Sequence, residues 1–178
     1  MRRLRPQHAS YTLRRRADAD LPFVTATTGP GPELLLDTSV YIDVLQGRTP
    51  PAVDDLLGLR ILNHSSVALA ELTHSFGRLD PSHHNTKVTL RALAATLNDI
   101  PVHRLSTPSV SAYGEAGMLA GLAARLSGRA HGVALLHDAL LLLQAAENGR
   151  VLLTRNIADF DRLQQLAPGS RILLYRQM

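Results

Sequence analysis

The sequence contains no cysteine and no tryptophan, and only 4% of its 178 residues are aromatic. The absence of cysteine excludes a disulfide framework and any thiolate metal site, which suits a reducing compartment such as the cytoplasm. The scarcity of aromatic side chains leaves no evident stacking platform for nucleobases. No apolar run reaches the roughly 18 residues that suggest a membrane span, so we expect no membrane association. The 45% hydrophobic content is nevertheless sufficient for the core of one domain.

Positive charge is concentrated in the first 32 residues. They contain six arginines against Asp18 and Asp20, a net charge of +4, whereas the rest of the chain has 13 basic and 13 acidic side chains. The segment lacks hydrophobic periodicity and ends in TTGPGP, which is typical of a linker. We therefore predict a disordered arm over 1–32 and one domain over 33–178. The alternatives are a nucleic-acid-binding tail and a targeting peptide, although the apolar segment of a targeting peptide is missing.

From residue 33 onwards, short apolar runs alternate with segments of helical periodicity. The predicted strands are 33–37, 60–64, 100–105, 151–154 and 171–175. The predicted helices are 39–47, 51–58, 66–79, 86–99, 107–127, 132–149 and 158–166. Strands that are apolar on both faces and alternate with helices predict an α/β fold. We expect three layers, α/β/α, around a mostly parallel central sheet of four or five strands.

Acidic and polar residues follow these strands or lie in the helices after them, where parallel sheets carry their functional sites. They are Asp37, Glu71, Asp138, Asn156, Asp159 and Asp161. Neither Glu71 nor Asp138 has a lysine or arginine three or four residues away, and Asp138 lies in the most apolar helix. Because a buried carboxylate without a partner is costly, acids that gather at one sheet edge predict a bound divalent cation. Oxygen ligands favour Mg²⁺ or Mn²⁺ over zinc.

Each of these residues also has a purely structural interpretation. Asp37 could cap the helix that follows it, and Glu71 could be a solvated helix residue. Asp159 and Asp161 suit the first turn of a helix, where acids complement the helix dipole. His137 faces another direction on its helix than the acid next to it, and we interpret it as structural. The joint arrangement of the acids, more than any one of them, favours a functional site.

Four segments occur in the order and spacing of a known family. They are DTSVYID, SSVALAEL, HDALLLLQAA and LLTRNIADFDRL. Through them the chain over about 33–178 resembles the PIN-domain ribonucleases, and it looks most like the VapC-type toxins of bacterial type II toxin–antitoxin pairs. The resemblance implies a PIN-like fold and an endoribonuclease that depends on Mg²⁺ or Mn²⁺. It also implies four catalytic residues at matching positions, which are Asp37, Glu71, Asp138 and Asn156. Asp37 and Asp138 would hold the metal ion, with Glu71 bound to it directly or through water.

Asn156 departs from the family, which often has an aspartate directly after the TR pair. Asparagine offers a carbonyl oxygen without a charge, and Asp159 could complete the site through water. Ser39 and Thr154 stand where the family places small hydroxyl residues beside the metal. Arg155 is either an RNA phosphate contact or an ordinary surface arginine.

The resemblance further implies an RNA substrate, a small antitoxin protein as partner, a homodimer and a cytoplasmic location. The alternative is a catalytically weak or inactive PIN-like module that binds RNA or protein, which Asn156 favours. Two phosphotransfer classes with aspartates at strand ends fit poorly. A receiver domain needs a lysine at a strand end, but the only lysine, Lys87, lies in a predicted helix. A haloacid-type enzyme needs a second aspartate where Ser39 stands.

Overall fold

A computed structural model of the chain describes residues 12–128 and 132–178. Within these residues, five strands form one sheet in which every pairing is parallel. The strands are β1 (Leu34–Leu36), β2 (Leu62–Ser65), β3 (Leu105–Ser106), β4 (Val151–Thr154) and β5 (Ile172–Leu174). Their order is β3-β2-β1-β4-β5, so β1 is central and neighbours β2 and β4. The predicted α/β fold with a parallel sheet is therefore confirmed.

Seven helices connect these strands in the described part of the chain. They are α1 (Thr38–Leu45), α2 (Pro51–Leu59), α3 (Ser66–Gly77), α4 (Thr86–Asn98), α5 (Val110–Ser127), α6 (Val133–Glu147) and α7 (Ile157–Leu166). Helix α6 packs against α5, α7, β1 and β4, while α1 packs against α3. The start of α2 has a proline at its first position, where the missing N–H costs no hydrogen bond. None of the described helices is long and apolar enough to cross a membrane.

The core lies around the two central strands. Leu34, Leu35, Leu152 and Leu153 are completely buried, as are Leu141 and Leu142 of α6. Burying a leucine side chain contributes roughly 1.5–3 kcal/mol, so the leucine runs of the sequence stabilise the centre of the sheet. The same packing fixes the carboxyl ends of β1 and β4 side by side, since Leu36 of β1 pairs with Leu153 of β4.

The third strand is much shorter than predicted. The sequence predicted a strand over 100–105, but the pairing with β2 involves only Leu105 and Ser106. A short 3-10 helix, Val102–Arg104, occupies most of the predicted strand. Pro101 directly precedes this turn and has no N–H to donate to a sheet ladder. The apolar residues there are also not buried, because Val102 is 87% exposed.

The N-terminal segment differs from the prediction of a disordered arm over 1–32. Its residues 1–11 lie outside the described residues, but residues 12–24, here called the N-terminal strap, pack on the domain. Leu13 and Leu21 are buried, and Leu13 N–H donates to Leu126 O at 2.9 Å. Val24 N–H donates to Leu174 O at 2.8 Å, which pairs the strap with β5. The buried Leu13 and Leu21 thus hold the strap on the domain, although its sequence lacks helix or strand periodicity.

An ion pair between a partly exposed arginine and a buried aspartate fixes the strap to α7. Arg16 donates to the fully buried Asp161 from its backbone N–H at 2.8 Å and from Nε at 2.5 Å. The backbone O of Arg14 accepts from Gln165 at 2.9 Å. Asp161 therefore serves the attachment of the strap, and its interpretation as an acid that complements a helix dipole is incomplete.

Candidate active site

Asp37 follows β1 directly and is buried at the end of the sheet, with 4% of its surface exposed. It caps α1, and its Oδ2 accepts hydrogen bonds from Ser39 Oγ at 2.5 Å and from Thr154 Oγ1 at 2.7 Å. Burial raises the pKa of Asp37, and the Glu71 charge adds to the rise, while the two hydroxyl donors oppose it. Asp37 therefore caps the helix and also belongs to the candidate site, because it lies between the end of β1 and the start of α1.

Asp138 lies on α6 and is also buried. Its Oδ2 accepts a hydrogen bond from Asn156 Nδ2 at 3.0 Å. Burial and then the nearby charges of Asp37, Asp159 and Glu71 raise the pKa of Asp138 to about 9. In the absence of a cation this carboxyl group therefore holds a proton at neutral pH. Nothing in the sequence around α6 compensates the charge locally, which agrees with the predicted lack of a counter-ion on the helix.

Glu71 lies on α3, and both of its carboxylate oxygens have a hydrogen-bond partner. Thr38 Oγ1 donates to Oε2 at 2.7 Å, and His137 Nδ1 lies 2.8 Å from Oε1. His137 faces another direction than Asp138, as predicted, and its partner is Glu71 at the rim of the site. The side chain points from α6 to α3 rather than along the direction of Asp138, and sequence spacing within α6 could not reveal a partner on another helix.

Asn156 connects the remaining polar groups. Its Nδ2 donates to Asp138 and, at 3.3 Å, to Asp159 Oδ2, while its Oδ1 accepts from Asp159 N–H at 3.4 Å as the cap of α7. Asn156 N–H donates to Thr154 Oγ1 at 2.9 Å. Arg162 forms an ion pair with Asp159 at 3.3 Å. The structure therefore brings Asp37, Asp138, Asn156 and Asp159 together through short polar links. Thr154, at the end of β4, joins Asn156 to Asp37.

Arg155 contacts the site mainly through its backbone, since its N–H donates to Ser39 Oγ at 3.1 Å. Its side chain forms an ion pair with Asp43, with Nε 2.8 Å from Oδ2, although the Nε–H does not align as a hydrogen bond. Asp43 is fully buried and also accepts from Tyr175 and Gln177. Sequence reasoning missed this cluster, because Asp43 and its partners are more than 100 residues apart in the chain. The predicted phosphate contact of Arg155 stays a prediction.

The donor set at this sheet edge fits a hard divalent cation. It consists of carboxylate, amide and hydroxyl oxygens, which Mg²⁺ and Mn²⁺ prefer. A cation would also replace the proton of Asp138 and offset the repulsion between the acids. As they stand, no three His, Asp or Glu side chains among residues 12–128 and 132–178 are arranged to share one ion. An ion shared by these acids therefore requires side-chain movement, and the hydrogen bonds of Asn156 and Thr154 engage the Oδ2 atoms of Asp138 and Asp37.

Solved structures with the same architecture exist for three bacterial complexes, each covering 80% of this chain. A chain of the DNA-bound VapBC complex from Salmonella typhimurium is 21% identical with a TM-score of 0.58, and 97% of it is covered. A chain of VapBC2 from Rickettsia felis, bound to a promoter DNA fragment, is 18% identical with a TM-score of 0.57 and 98% covered. The third is FitAcB from Neisseria gonorrhoeae, at 16% identity, a TM-score of 0.58 and 96% coverage. The chain has the VapC-type PIN fold.

The likeness of this chain to those complexes lies in the fold. No protein-family profile matches the chain, and no curated protein sequence matches it. The comparison structures are matched almost over their full length, whereas about one fifth of this chain has no counterpart in them. The predicted resemblance is confirmed at the level of the fold, and the roles of the site residues rest on their geometry.

Proposed function

We propose that this chain is a divalent-metal-dependent endoribonuclease that acts as the toxin of a toxin–antitoxin pair and hydrolyses RNA phosphodiester bonds. The observation that carries the proposal is the buried Asp138, placed beside three other carboxylates with its pKa raised to about 9. Burying acids so close together is unfavourable for stability, and such perturbed groups cluster at functional sites. The VapC-type fold, which brings the acids to the carboxyl edge of the sheet, supports the same conclusion.

The position of each residue at the site indicates its role in the proposed reaction. Asp37 and Asp138 would hold a Mg²⁺ or Mn²⁺ ion, because they are buried, whereas Glu71 and Asp159 are partly exposed. Asn156 orients Asp138 through its amide, and Ser39 and Thr154 orient Asp37 through their hydroxyls. When bound, the ion supplies positive charge that neutralises phosphate oxygens and acidifies a water molecule.

Glu71 is the residue best placed to handle the proton of the attacking water. It is partly exposed, with 21% of its side chain accessible, so its oxygens can meet a water that enters from solvent. A carboxylate oxygen that already accepts one hydrogen bond has a second lone pair for such a water. We therefore assign Glu71 to orienting or deprotonating the water, and Asp159 to a supporting contact through water in place of a fourth catalytic aspartate.

RNA cleavage by the purified full-length chain tests this function. We expect cleavage of a labelled RNA with Mn²⁺ or Mg²⁺ and none after chelation. Asp37→Asn and Asp138→Asn should lower the rate by about a hundredfold or more, in the range that positioned catalytic groups contribute. The exposed Asp55→Asn on α2 is the matched control and should cleave like wild type. Equal cleavage by Asp37→Asn or undiminished cleavage with a chelator would contradict the proposal.

A binding module without catalytic activity is the second candidate. The observation in its favour is Asn156, which provides no charge where the family often has its fourth aspartate, and whose amide occupies Asp138. The same cleavage assay separates the two functions. RNA binding that is intact in every divalent metal, with no cleavage in any of them, would favour the module.

The biological role is tested in cells. If the chain is a cytoplasmic toxin, induced expression should arrest growth, and Asp37→Asn should relieve the arrest at equal protein levels. The comparison structures include complexes named VapBC and FitAB, some of them bound to DNA, which supports a small antitoxin as the partner. We expect co-expression of such a partner to restore growth, and we propose a homodimer as the assembled toxin. Equal growth with wild type and Asp37→Asn would contradict the toxin role.

A further inference from the structure

A histidine and a glutamate on neighbouring helices form a pair at the rim of the candidate site. His137 of α6 and Glu71 of α3 are joined at 2.8 Å, and their side chains are 32% and 21% exposed. Because an ionised carboxylate can only accept hydrogen bonds, His137 donates from Nδ1 to Oε1. Thr38 of α1 donates to the other oxygen. Three helices thus contribute to holding one carboxylate.

His137 is also next to a candidate metal ligand in the sequence. It directly precedes Asp138, whose side chain turns towards Asn156. Successive side chains on a helix diverge by about 100°, so one turn of α6 presents Asp138 to the cluster and His137 to Glu71. The pair therefore links the placement of Glu71 to the helix that carries a predicted metal ligand.

We propose that His137 is a positioning residue that sets the orientation of Glu71 relative to Asp138. This inference rests on the proposed function, in which Glu71 orients or deprotonates the attacking water. With one donor on each oxygen, the Glu71 carboxylate cannot rotate freely about its last bond. The remaining lone pair on each oxygen is then held in a fixed direction, available to a water or to the cation. Without the His137 donor, the Glu71 carboxylate keeps only the hydrogen bond from Thr38 and can rotate.

Two substitutions test whether His137 acts through its hydrogen bond to Glu71. His137→Leu removes the donor and introduces an apolar side chain of similar bulk. His137→Asn keeps a donor, since its Nδ2 stands at about the place of the imidazole Nδ1. His74→Leu is the matched control, because His74 is an exposed histidine on α3 only three residues after Glu71. All variants are full-length chains whose folding is checked by circular dichroism and thermal unfolding.

Two readouts are measured for each variant, namely Mn²⁺ affinity by electron paramagnetic resonance and the steady-state kcat and KM for RNA cleavage. We expect His137→Leu to weaken Mn²⁺ binding by about tenfold, the lower end of the effect of removing a partner of a metal site residue. It should also lower kcat with KM nearly unchanged, since the lost interaction acts in the transition state. His137→Asn should recover most of both losses, and His74→Leu should equal wild type.

The outcomes distinguish this inference from the proposed function. If wild type binds Mn²⁺ and cleaves RNA but folded His137→Leu does the same equally well, the positioning role is wrong and the proposed function stands. The inference is also wrong if folded His137→Asn loses as much as His137→Leu. If wild type itself binds no Mn²⁺ and cleaves no RNA, the proposed function fails and the inference fails with it.

Discussion

At the scale of single residues, the most informative feature is a carboxyl group that is poorly suited to the fold alone. Asp138 is buried beside other acids, and its raised pKa records how unfavourable its charge is there. A residue retained for stability would instead have a cation or several donors around it. Its only hydrogen-bond donor among the described residues is the amide of Asn156. Function and stability therefore make opposite demands on this position.

Asp138→Asn should stabilise the metal-free protein while it abolishes cleavage. The amide cannot ionise, so folding at neutral pH no longer requires this side chain to take up a proton, and we expect the free energy of unfolding to rise by on the order of 1 to 2 kcal/mol. Urea unfolding in the presence of a chelator measures this. Asp55→Asn on the exposed face of α2 should leave the free energy of unfolding unchanged. A large loss of stability in Asp138→Asn would contradict the account of its environment.

The stability of the metal-free protein should fall as pH rises from about 4 to about 9. An unfolded aspartate ionises near pH 3.9, whereas Asp138 in the folded state keeps its proton up to about pH 9. The folded state thus binds more protons across this range, and the free energy of unfolding decreases with pH. Urea unfolding at a series of pH values should show a shallower decrease for Asp138→Asn than for wild type. Identical slopes would show that Asp138 does not titrate as described.

Asn156→Asp tests the role of the amide between the acids. The substitution removes the donor to Asp138 and Asp159 and adds a charge, so we expect the metal-free protein to lose about 1–3 kcal/mol of stability. We also expect Mn²⁺ to bind more tightly, because another carboxylate faces the cation. Calorimetric titration with Mn²⁺ and urea unfolding test both effects. The exposed Asn98→Asp on α4 is the control, and unchanged Mn²⁺ affinity in Asn156→Asp would contradict this role.

At the scale of elements, the sequence predicts those parts whose signal is local. The runs of consecutive leucines predicted β1 and β4, since such runs favour buried strands, and helical spacing predicted α4 and α6. The strand over 100–105 was overestimated because short apolar runs do not report burial or pairing partners. The attachment of Glu71 to His137 and of Arg155 to Asp43 could not be predicted, since each joins elements that are distant in the sequence.

The N-terminal strap should contribute measurably to stability. Removal of residues 1–24 exposes the part of the domain surface on which Leu13 and Leu21 pack. It also leaves Asp161 without its Arg16 partner and exposes the edge of β5. We expect a loss of at least about 2 kcal/mol, the scale of one buried leucine, and aggregation through the open strand edge. Urea unfolding and light scattering measure these effects. Removal of residues 1–11 keeps every described contact of the strap and should be close to wild type. Equal behaviour of the two truncations would contradict this role.

At the scale of the whole molecule, the parallel sheet explains why residues far apart in sequence meet. The carboxyl ends of β1 and β4 adjoin, so Asp37 and Asn156 become neighbours, and α6 and α3 bring Asp138 and Glu71 to the same edge. This convergence could be predicted from the sequence, because parallel connections leave little topological choice. The order of the N-terminal strap could not, since its contacts depend on single anchors such as Leu13 and Arg16. The protein thus has a PIN fold with its N-terminal strap fixed to the β5 edge of the sheet.

The central claim is that the acids at this edge form a divalent cation site, and anomalous diffraction from crystals soaked in Mn²⁺ tests it most directly. The account predicts one strong anomalous peak bound by carboxylate oxygens of both Asp37 and Asp138, at about 2.0–2.3 Å as for small oxygen-bound divalent cations. The peak should be absent from isomorphous crystals of Asp138→Asn. Well-diffracting wild-type crystals with no peak there, or with Mn²⁺ bound only elsewhere, would contradict the account.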